Sequence, residues 1–355
     1  MKQVRAFTSS ALEPYARGVE FGALHRLEVT GTVAAYRRLF AARATEPFDV
    51  DAWAEHAWEA IGELAPWACE EICGIADGVG VPVREIAALN ARTELLAVAN
   101  PTGVAECSTV VSLPSGRPPV GVQTWDWYDA MSDGWLHWGI PLPDGRFFST
   151  VTEYGVLAKI GVNSDGLGVL LNMLHHASDA TTGLGYPVHL LSRRILETAS
   201  NVDDAVRTVQ SVTTSASTSL TVLDAAGRAA SLELSPDGVN VVEPEDGLLV
   251  RTNHFVSEVG RKGCLASTIG PGSEIRHGKL LDTLTDSPAG SSDAVVDAML
   301  DHDEVGGVCA HPDRSMEPVL QHATLATVVV DVANRSLGVS DGGPCAATLS
   351  LSSRT

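Results

Sequence analysis

The sequence predicts a strand-rich α+β protein headed by a helical block. Three features carry that reading. Residues ahead of Gly103 repeat apolar side chains at helical spacing. From Gly103 onward, short apolar runs alternate with turn signals, and only two helical stretches interrupt them.

In chain order, residues 50–76 (VDAWAEHAWEAIGELAPWACEEICGIA) place Ala, Trp and Ile at helical intervals, and Pro66 breaks or starts a helix there. Gly78, Gly80 and Pro82 punctuate, and VREIAALNARTELLAVA (83–99) reads as a further amphipathic helix closed by Asn100, Pro101 and Gly103. The runs STVVSL, PVGVQTWDW, RFFSTVTEY, VLAKIGVNS, GLGVLLNML, TSLTVLD, AASLELS, GVNVVEP, GLLVRTNHF, ATLATVVVDV and RSLGVSDG read as strands. Asp144–Arg146, Asn163–Gly166, Ala225–Arg228 and Ser235–Gly238 carry hairpin-turn residues. Helices are expected over about 185–200 with the following DDAVRTVQSV, and over about 275–300, and a surface loop over Ser257–Ser273.

Acidic residues outnumber basic ones and the net charge is −20, which excludes a nucleic-acid binder and an anionic membrane surface as partner. No apolar run approaches the roughly 18 residues of a membrane span, and MKQVRAFTSSALEPYARG lacks a signal-peptide apolar region. The six cysteines are too sparse for a disulfide scaffold, so a cytoplasmic protein with reduced thiols is expected.

The common chemical motifs are absent: no glycine-rich phosphate loop, no G-x-S-x-G and no H-E-x-x-H. His175 and His176 are neighbours and would face opposite sides of a strand. His302 and His311 fall in a loop with Asp301, Asp303 and Asp313, which reads as a solvated acidic loop rather than a divalent-metal site. Cys69 and Cys73 read as ordinary thiols, and neither metal nor cofactor is expected. Cys107 opens the first strand, in AECSTVV; alone it reads as a small core residue, and its surroundings raise it to a candidate nucleophile.

Those surroundings are an ordered set: NARTE (90–94), ECS (106–108), QTWDW (123–127), TEYGVLAKIGVNSDGLGVLLNML (152–174) and RTNHF (251–255). The set resembles the isopenicillin N acyltransferase and carcinine hydrolase family of N-terminal-nucleophile hydrolases. EPYARGVEFGALHR looks like that family's opening helix and VVVDVANRSLGVSDGGPC like its final strands, so the likeness covers nearly the whole chain.

The resemblance implies an αββα sandwich of two mainly antiparallel sheets, with the helical block in front. It implies self-cleavage at Glu106–Cys107, giving a small chain 1–106 and a large chain 107–355 that stay together as a heterodimer. The new α-amine, with an ordinary pKa of roughly 7.7–8.0, would serve as general base beside the Cys107 thiol. Asp126 would orient the cysteine, and Asn253 would donate to the oxyanion. Thr124, Trp125, Glu153, Tyr154, Asn163 and His254 are carried over as supporting or substrate-contacting residues. Arg92 and Glu94 read as a structural ion pair. Trp125, Trp127, Trp135 and Trp138 either line a pocket or pack the core.

The chain also departs from the family pattern. Glu106 replaces Gly before the nucleophile, Thr124 stands in an Asn place, Leu320-Gln321 replaces a Ser-Arg pair, and Ala310 stands in an Arg place. The two missing cations favour a neutral or amine-bearing substrate over a penicillin-type one. The expected activity is hydrolysis or transfer of the acyl group of a small N-acyl or β-alanyl-type amide through a Cys107 thioester. The partners would then be a small-molecule amide or acyl donor and an amine acceptor. Two alternatives are an acyl-CoA- or carrier-dependent N-acyltransferase and an uncleaved binding relative.

Overall fold

The computed structural model describes residues 3–100, 107–181, 183–286, 290–347 and 350–351. After a short edge strand β1 (Ala6–Thr8) come six helices: α1 (Pro14–Leu24), α2 (Arg26–Arg43), α3 (Val50–Leu64), α4 (Cys69–Val79), α5 (Val83–Asn90) and α6 (Arg92–Ala99). The expected break at Pro66 separates α3 from α4. The single helix expected over 83–99 is instead two, bent at Ala91, where φ is −103° and ψ 19°. The change from helix to strand falls between Ala99 and Ser108.

Two sheets follow. The first is built from β1, β4 (Trp135–Pro141), β5 (Phe147–Glu153), β6 (Ile160–Asn163), β7 (Leu167–Met173), β8 (Thr218–Asp224), β9 (Ala229–Ser235) and β10 (Gly238–Val242), in that order. The second runs β11 (Leu248–Arg251), β2 (Ser108–Ser112), β3 (Val120–Tyr128), β12 (His322–Asp331), β13 (Ser336–Asp341) and β14 (Ser350–Leu351). All pairings are antiparallel except β1 with β4. The predicted turns close the β4–β5, β6–β7, β8–β9 and β9–β10 hairpins. Strand β4 escaped the sequence reading, because its tryptophans were weighed as pocket or packing residues rather than as a strand; its side chains alternate buried and half-buried over its last five residues.

The sheets stack face to face, with β2, β3 and β12 of one against β6 and β7 of the other. Helices α7 (Val188–Thr198) and α8 (Val202–Gln210) cover the first sheet. On the second lie α10 (Gly272–Asp286) and α11 (Ser292–Ala298), preceded by the short α9 (Ala266–Ile269). The architecture is therefore the expected αββα sandwich. The one helix expected over 275–300 is two, the second started by Ser291, whose Oγ accepts from the Ala294 N–H at 3.3 Å. The loop expected over 257–273 holds α9.

Alternation along the strands sorts side chains between two apolar layers. Val111, Trp125 and Trp127 join the large core between the sheets, whereas Val110 and Val122 pack under α10 and α11 with Leu280, Leu284 and Val295. Two amides stitch the sheets across that core. Gln123 donates to the Leu171 carbonyl at 2.5 Å and accepts from the Leu171 N–H at 3.0 Å. Asn172 accepts from the Thr109 hydroxyl at 2.7 Å.

The helical block is bolted to the rest by charge. Glu71 on α4 accepts from Arg17 of α1 and Arg193 of α7, each at 2.6 Å and all buried. Helices α1 and α4 cross closely enough that a Cβ at Gly74 would collide with the Tyr15 carbonyl, and one at Gly18 with that of Glu71. Gly74→Ala is expected to lower stability by about 1–3 kcal/mol through overpacking against backbone. A fall in melting temperature in a thermal scan would bear this out; an unchanged one would refute the close crossing.

Candidate active site

Register places the candidate nucleophile. Strand β2 pairs with β3 through Ser108–Thr124 and with β11 through Thr109–Arg251. Extended past the strand start, these registers set Cys107 between Trp125 on one side and Asn253 on the other. Cys107 shares the face of Thr109 and Val111, so its thiol points between the sheets, buried. The Asn172 amide donates to the Cys107 carbonyl at 3.1 Å, tying this strand end to the opposite sheet.

The thiol lies 3.5 Å from the Asp126 carbonyl oxygen. Burial, and next the Asp126 charge, push the thiol up to about 12, while Lys159 and Arg276 pull the other way. The buried Asp126 carboxylate is therefore within Coulombic reach of the Cys107 thiol.

Asn253 is held on three sides. Its Oδ1 accepts from Arg276 at 2.9 Å, its Nδ2 donates to the Met173 carbonyl at 2.9 Å, and its backbone N–H donates to Ser273 Oγ at 2.8 Å. An amide nitrogen carries two hydrogens, so one N–H remains beyond the Met173 bond. Because Arg276 takes the oxygen, the amide presents its nitrogen rather than its oxygen away from α10.

Glu153 is the centre of a buried charge network. Its Oε2 meets Lys159 Nζ at 2.6 Å, its Oε1 lies 3.1 Å from Arg92 Nε, and the Tyr36 hydroxyl donates to it. Burial pushes the carboxyl up, but Arg92 and Lys159 outweigh it and hold Glu153 well below the usual range. Burial, then Arg92, pulls Lys159 down to about 7 against Glu153. Both partners shift downward because two cations outweigh burial at the carboxylate, whereas burial and the like charge of Arg92 outweigh one anion at the ammonium. The Lys159 ammonium also lies 3.6 Å from the Trp125 ring centroid, and the Arg92 guanidinium 4.5 Å from that of Trp127.

Cys107, Thr124, Trp125, Asp126 and Asn253 thus come together, with Glu153 close behind through Lys159 and Trp125. Thr124 bonds across the strands, its Oγ1 accepting from the Ser108 N–H at 3.2 Å. Three carried-over residues lie elsewhere. Tyr154 turns to the opposite face and packs on Phe21 and His25, because neighbours on a strand alternate. Asn163 closes the β6–β7 turn, accepting from the Asp165 and Leu167 N–H groups and donating to the Leu196 and Ala199 carbonyls. His254 faces Ser273 and His277 and opens on a separate cavity of about 430 Å³; burial, then His277, pulls it down to about 3. Glu106 lies outside the described residues.

Arg92 and Glu94 do not pair as expected. Arg92 serves Glu153, and Glu94 accepts from the Val188 N–H at the start of α7 at 2.9 Å, with burial raising its carboxyl to about 7. The tryptophans divide. Trp138 packs on Phe21 and donates to Ser9 Oγ at 3.0 Å, and Trp135 meets Trp125 edge-on. Trp127 instead lines a narrow groove with Tyr128, Leu96, Met173 and Leu174, bordered by Arg43 and Asp179. That groove reaches Met173, whose carbonyl holds Asn253.

Sequence reasoning missed Asn172, Lys159, Ser273 and Arg276. The first two left a trace: Asn172 is the one polar side chain in GVLLNML and Lys159 the one charge in VLAKIGVN. The site was expected to be poor in cations; it holds two, drawn from the β5–β6 turn and from α10 rather than from positions 310 and 321.

The sequence profile of the acyl-coenzyme A:6-aminopenicillanic acid acyl-transferase family matches residues 120–344. The 40 kDa form of acyl-coenzyme A:6-aminopenicillanic-acid-acyltransferase from Emericella nidulans is 31% identical over 282 residues, 78% of this chain and 75% of that protein. The chain belongs to the acyl-coenzyme A:6-aminopenicillanic acid acyl-transferase family. Among solved structures, penicillin V acylase from Agrobacterium tumefaciens matches 66% of this chain and 83% of its own, at 16% identity and a TM-score of 0.42. A conjugated bile acid hydrolase mutant from Clostridium perfringens matches 70% and 97%, at 10% identity and a TM-score of 0.45. The profile of the acyl-transferase family spans β3, which carries Asp126, and its partner β12, and runs through Asn253.

The charge network yields a pH-dependent expectation. Glu153→Gln leaves Arg92 and Lys159 buried without their shared anion and should cost about 3–5 kcal/mol at pH 7. A carboxyl held low in the folded state stabilises above its unfolded pKa of 4.5, and that contribution is lost as pH falls further. The gap between wild type and Glu153→Gln in denaturant titrations should therefore narrow below about pH 4.5. A gap that stays constant with acidification would contradict the assignment.

Proposed function

We propose that this protein is a self-processing cysteine amidohydrolase or acyltransferase, in which Cys107 becomes the first residue of its own chain. One observation carries the reading: the Cys107 thiol, the Asp126 charge and the Asn253 amide meet at the open end of one strand. In the processing step the thiol adds to the carbonyl of residue 106, the C–N bond breaks as C–S forms, and water releases the acyl chain. The freed α-amine then lies beside its own thiol, with Asp126 to hold the ammonium form.

In turnover the amine takes the thiol proton, sulfur attacks a substrate amide or thioester carbonyl, and Asn253 donates to the developing oxyanion. Protonation of the leaving amine gives an acyl-enzyme thioester, which water or an acceptor amine resolves. The narrow groove beside Trp127 and Met173 leads towards the backbone that holds Asn253, and the acyl or amine portion would enter from that side. Lys159 and Arg276 are both buried, the first paired with Glu153 and the second bonded to Asn253, so neither reaches out to meet an anionic substrate. A small neutral or amine-bearing N-acyl amide fits that balance. The family's profile and the Emericella nidulans relative support acyl transfer from acyl-CoA as the second reading.

Intact-mass spectrometry should find two chains, the larger being the 249 residues that begin at Cys107. Cys107→Ala should remain a single chain and lose turnover of N-acyl amines by on the order of 10³-fold or more. Asn253→Ala should lower kcat by about 10²–10³-fold. A wild-type protein that stays whole and turns over nothing would favour a binding role. Product formed only when acyl-CoA and an amine are both supplied would favour the transferase.

A further inference from the structure

A second constellation lies outside this site. His302, Cys309 and His311 belong to the loop between α11 and β12, and Cys345 follows β13. One ligand atom from each lies within 4.8 Å of all the others. The two thiols are free, with their sulfurs 3.5 Å apart. His311 Nε2 stands 3.9 Å from the Cys309 sulfur and 3.6 Å from that of Cys345. A tetrahedral ion with Zn–S of about 2.3 Å and Zn–N of about 2.0–2.1 Å sets S···S edges of ~3.8 Å and S···N edges of ~3.6 Å. The observed separations match those edges, whereas a disulfide needs its sulfurs at about 2.05 Å.

We propose that Cys309, His311, His302 and Cys345 form a structural Cys₂His₂ zinc site. The surroundings are built for such a closure. The Cys309 N–H donates to the Asp301 carbonyl at 2.9 Å, and Ala310 bonds Thr324 through both its N–H and its carbonyl. A side chain at Gly343 would collide with the Cys309 sulfur, so the backbone after β13 gives way to the thiol. The His302 and His311 rings lie nearly parallel, 16° apart.

Among the loop's carboxylates, Asp301 and Asp303 both hold Lys279, at 2.9 and 2.6 Å, and none joins the four-residue cluster. What remains is a sulfur and imidazole set, which selects zinc over calcium or magnesium. The sequence reading as a solvated acidic loop counted these carboxylates and did not bring Cys345 across from the far side of β12 and β13. Thr324, to which the Cys-x-His segment is bonded, is the β12 partner of Asp126. The ion would therefore clamp the loop onto the strand that backs the candidate catalytic aspartate.

The test uses the full-length, untagged protein purified without chelator. Plasma mass spectrometry should find about one zinc per chain. Cys345→Ser and His302→Ala, both at exposed positions, should lose nearly all of it, and Cys107→Ala should keep it. Cobalt exchanged into the wild-type protein should give the intense visible bands of a tetrahedral thiolate site, a readout that needs no variant to fold. No metal at saturating zinc, zinc kept in both ligand variants but lost in Cys107→Ala, or a Cys309–Cys345 disulfide in its place would each overturn the proposal. None of these outcomes depends on turnover, so the site stands or falls apart from the proposed activity.

Discussion

Strand β2 is paired on both edges, and that two-sided pairing is the constraint from which the candidate site follows. Pairing with β3 brings Trp125 and Asp126 alongside Cys107, and pairing with β11 brings Asn253 to the other side. A one-residue slip on either edge would turn the thiol towards α10 and α11, away from the space between the sheets. Asn172 and Gln123 oppose such a slip, since each bonds across to the other sheet or strand from a buried position. The location of Cys107 is thus a property of the whole sandwich and not of a local turn.

Buried charge supplies the second layer of order. The protein is strongly acidic overall, yet five arginines among the described residues are almost fully buried, and Arg17, Arg92, Arg193 and Arg251 each meet a buried carboxylate. Glu71 joins the helical block to α7, and Glu153 joins it to the sheet behind Trp125 through Arg92 and Tyr36. Such pairs carry a desolvation cost that a well-packed apolar cluster would avoid, so their merit is in fixing which helix meets which strand. The link matters here because the small and large segments must remain joined if the backbone between them is cut.

Much of the architecture was legible from residue pattern. Turn residues at Asp144, Asn163, Ala225 and Ser235 located four hairpins, and the switch from helical to alternating periodicity located the start of β2. The misses have physical causes. Ala91 carries no breaker signal, so the bend between α5 and α6 was invisible. Strand β4 was hidden by its own tryptophans. Tyr154 and Asn163 shared a motif with Glu153, but strand alternation and a turn sent their side chains elsewhere.

By itself the sequence determined the α+β class, the order of helices and hairpins, and the thiol, carboxylate and amide types on offer. Those depend on short-range periodicity and on chemistry carried by single residues. Only the tertiary structure decided which of them meet. Arg276 and Ser273 hold Asn253 from a helix twenty or more positions on, and Cys345 reaches His302 and Cys309 across β12 and β13. Contacts of that kind arise from strand register and loop closure, which link residues far apart in the chain and leave no periodic trace along it.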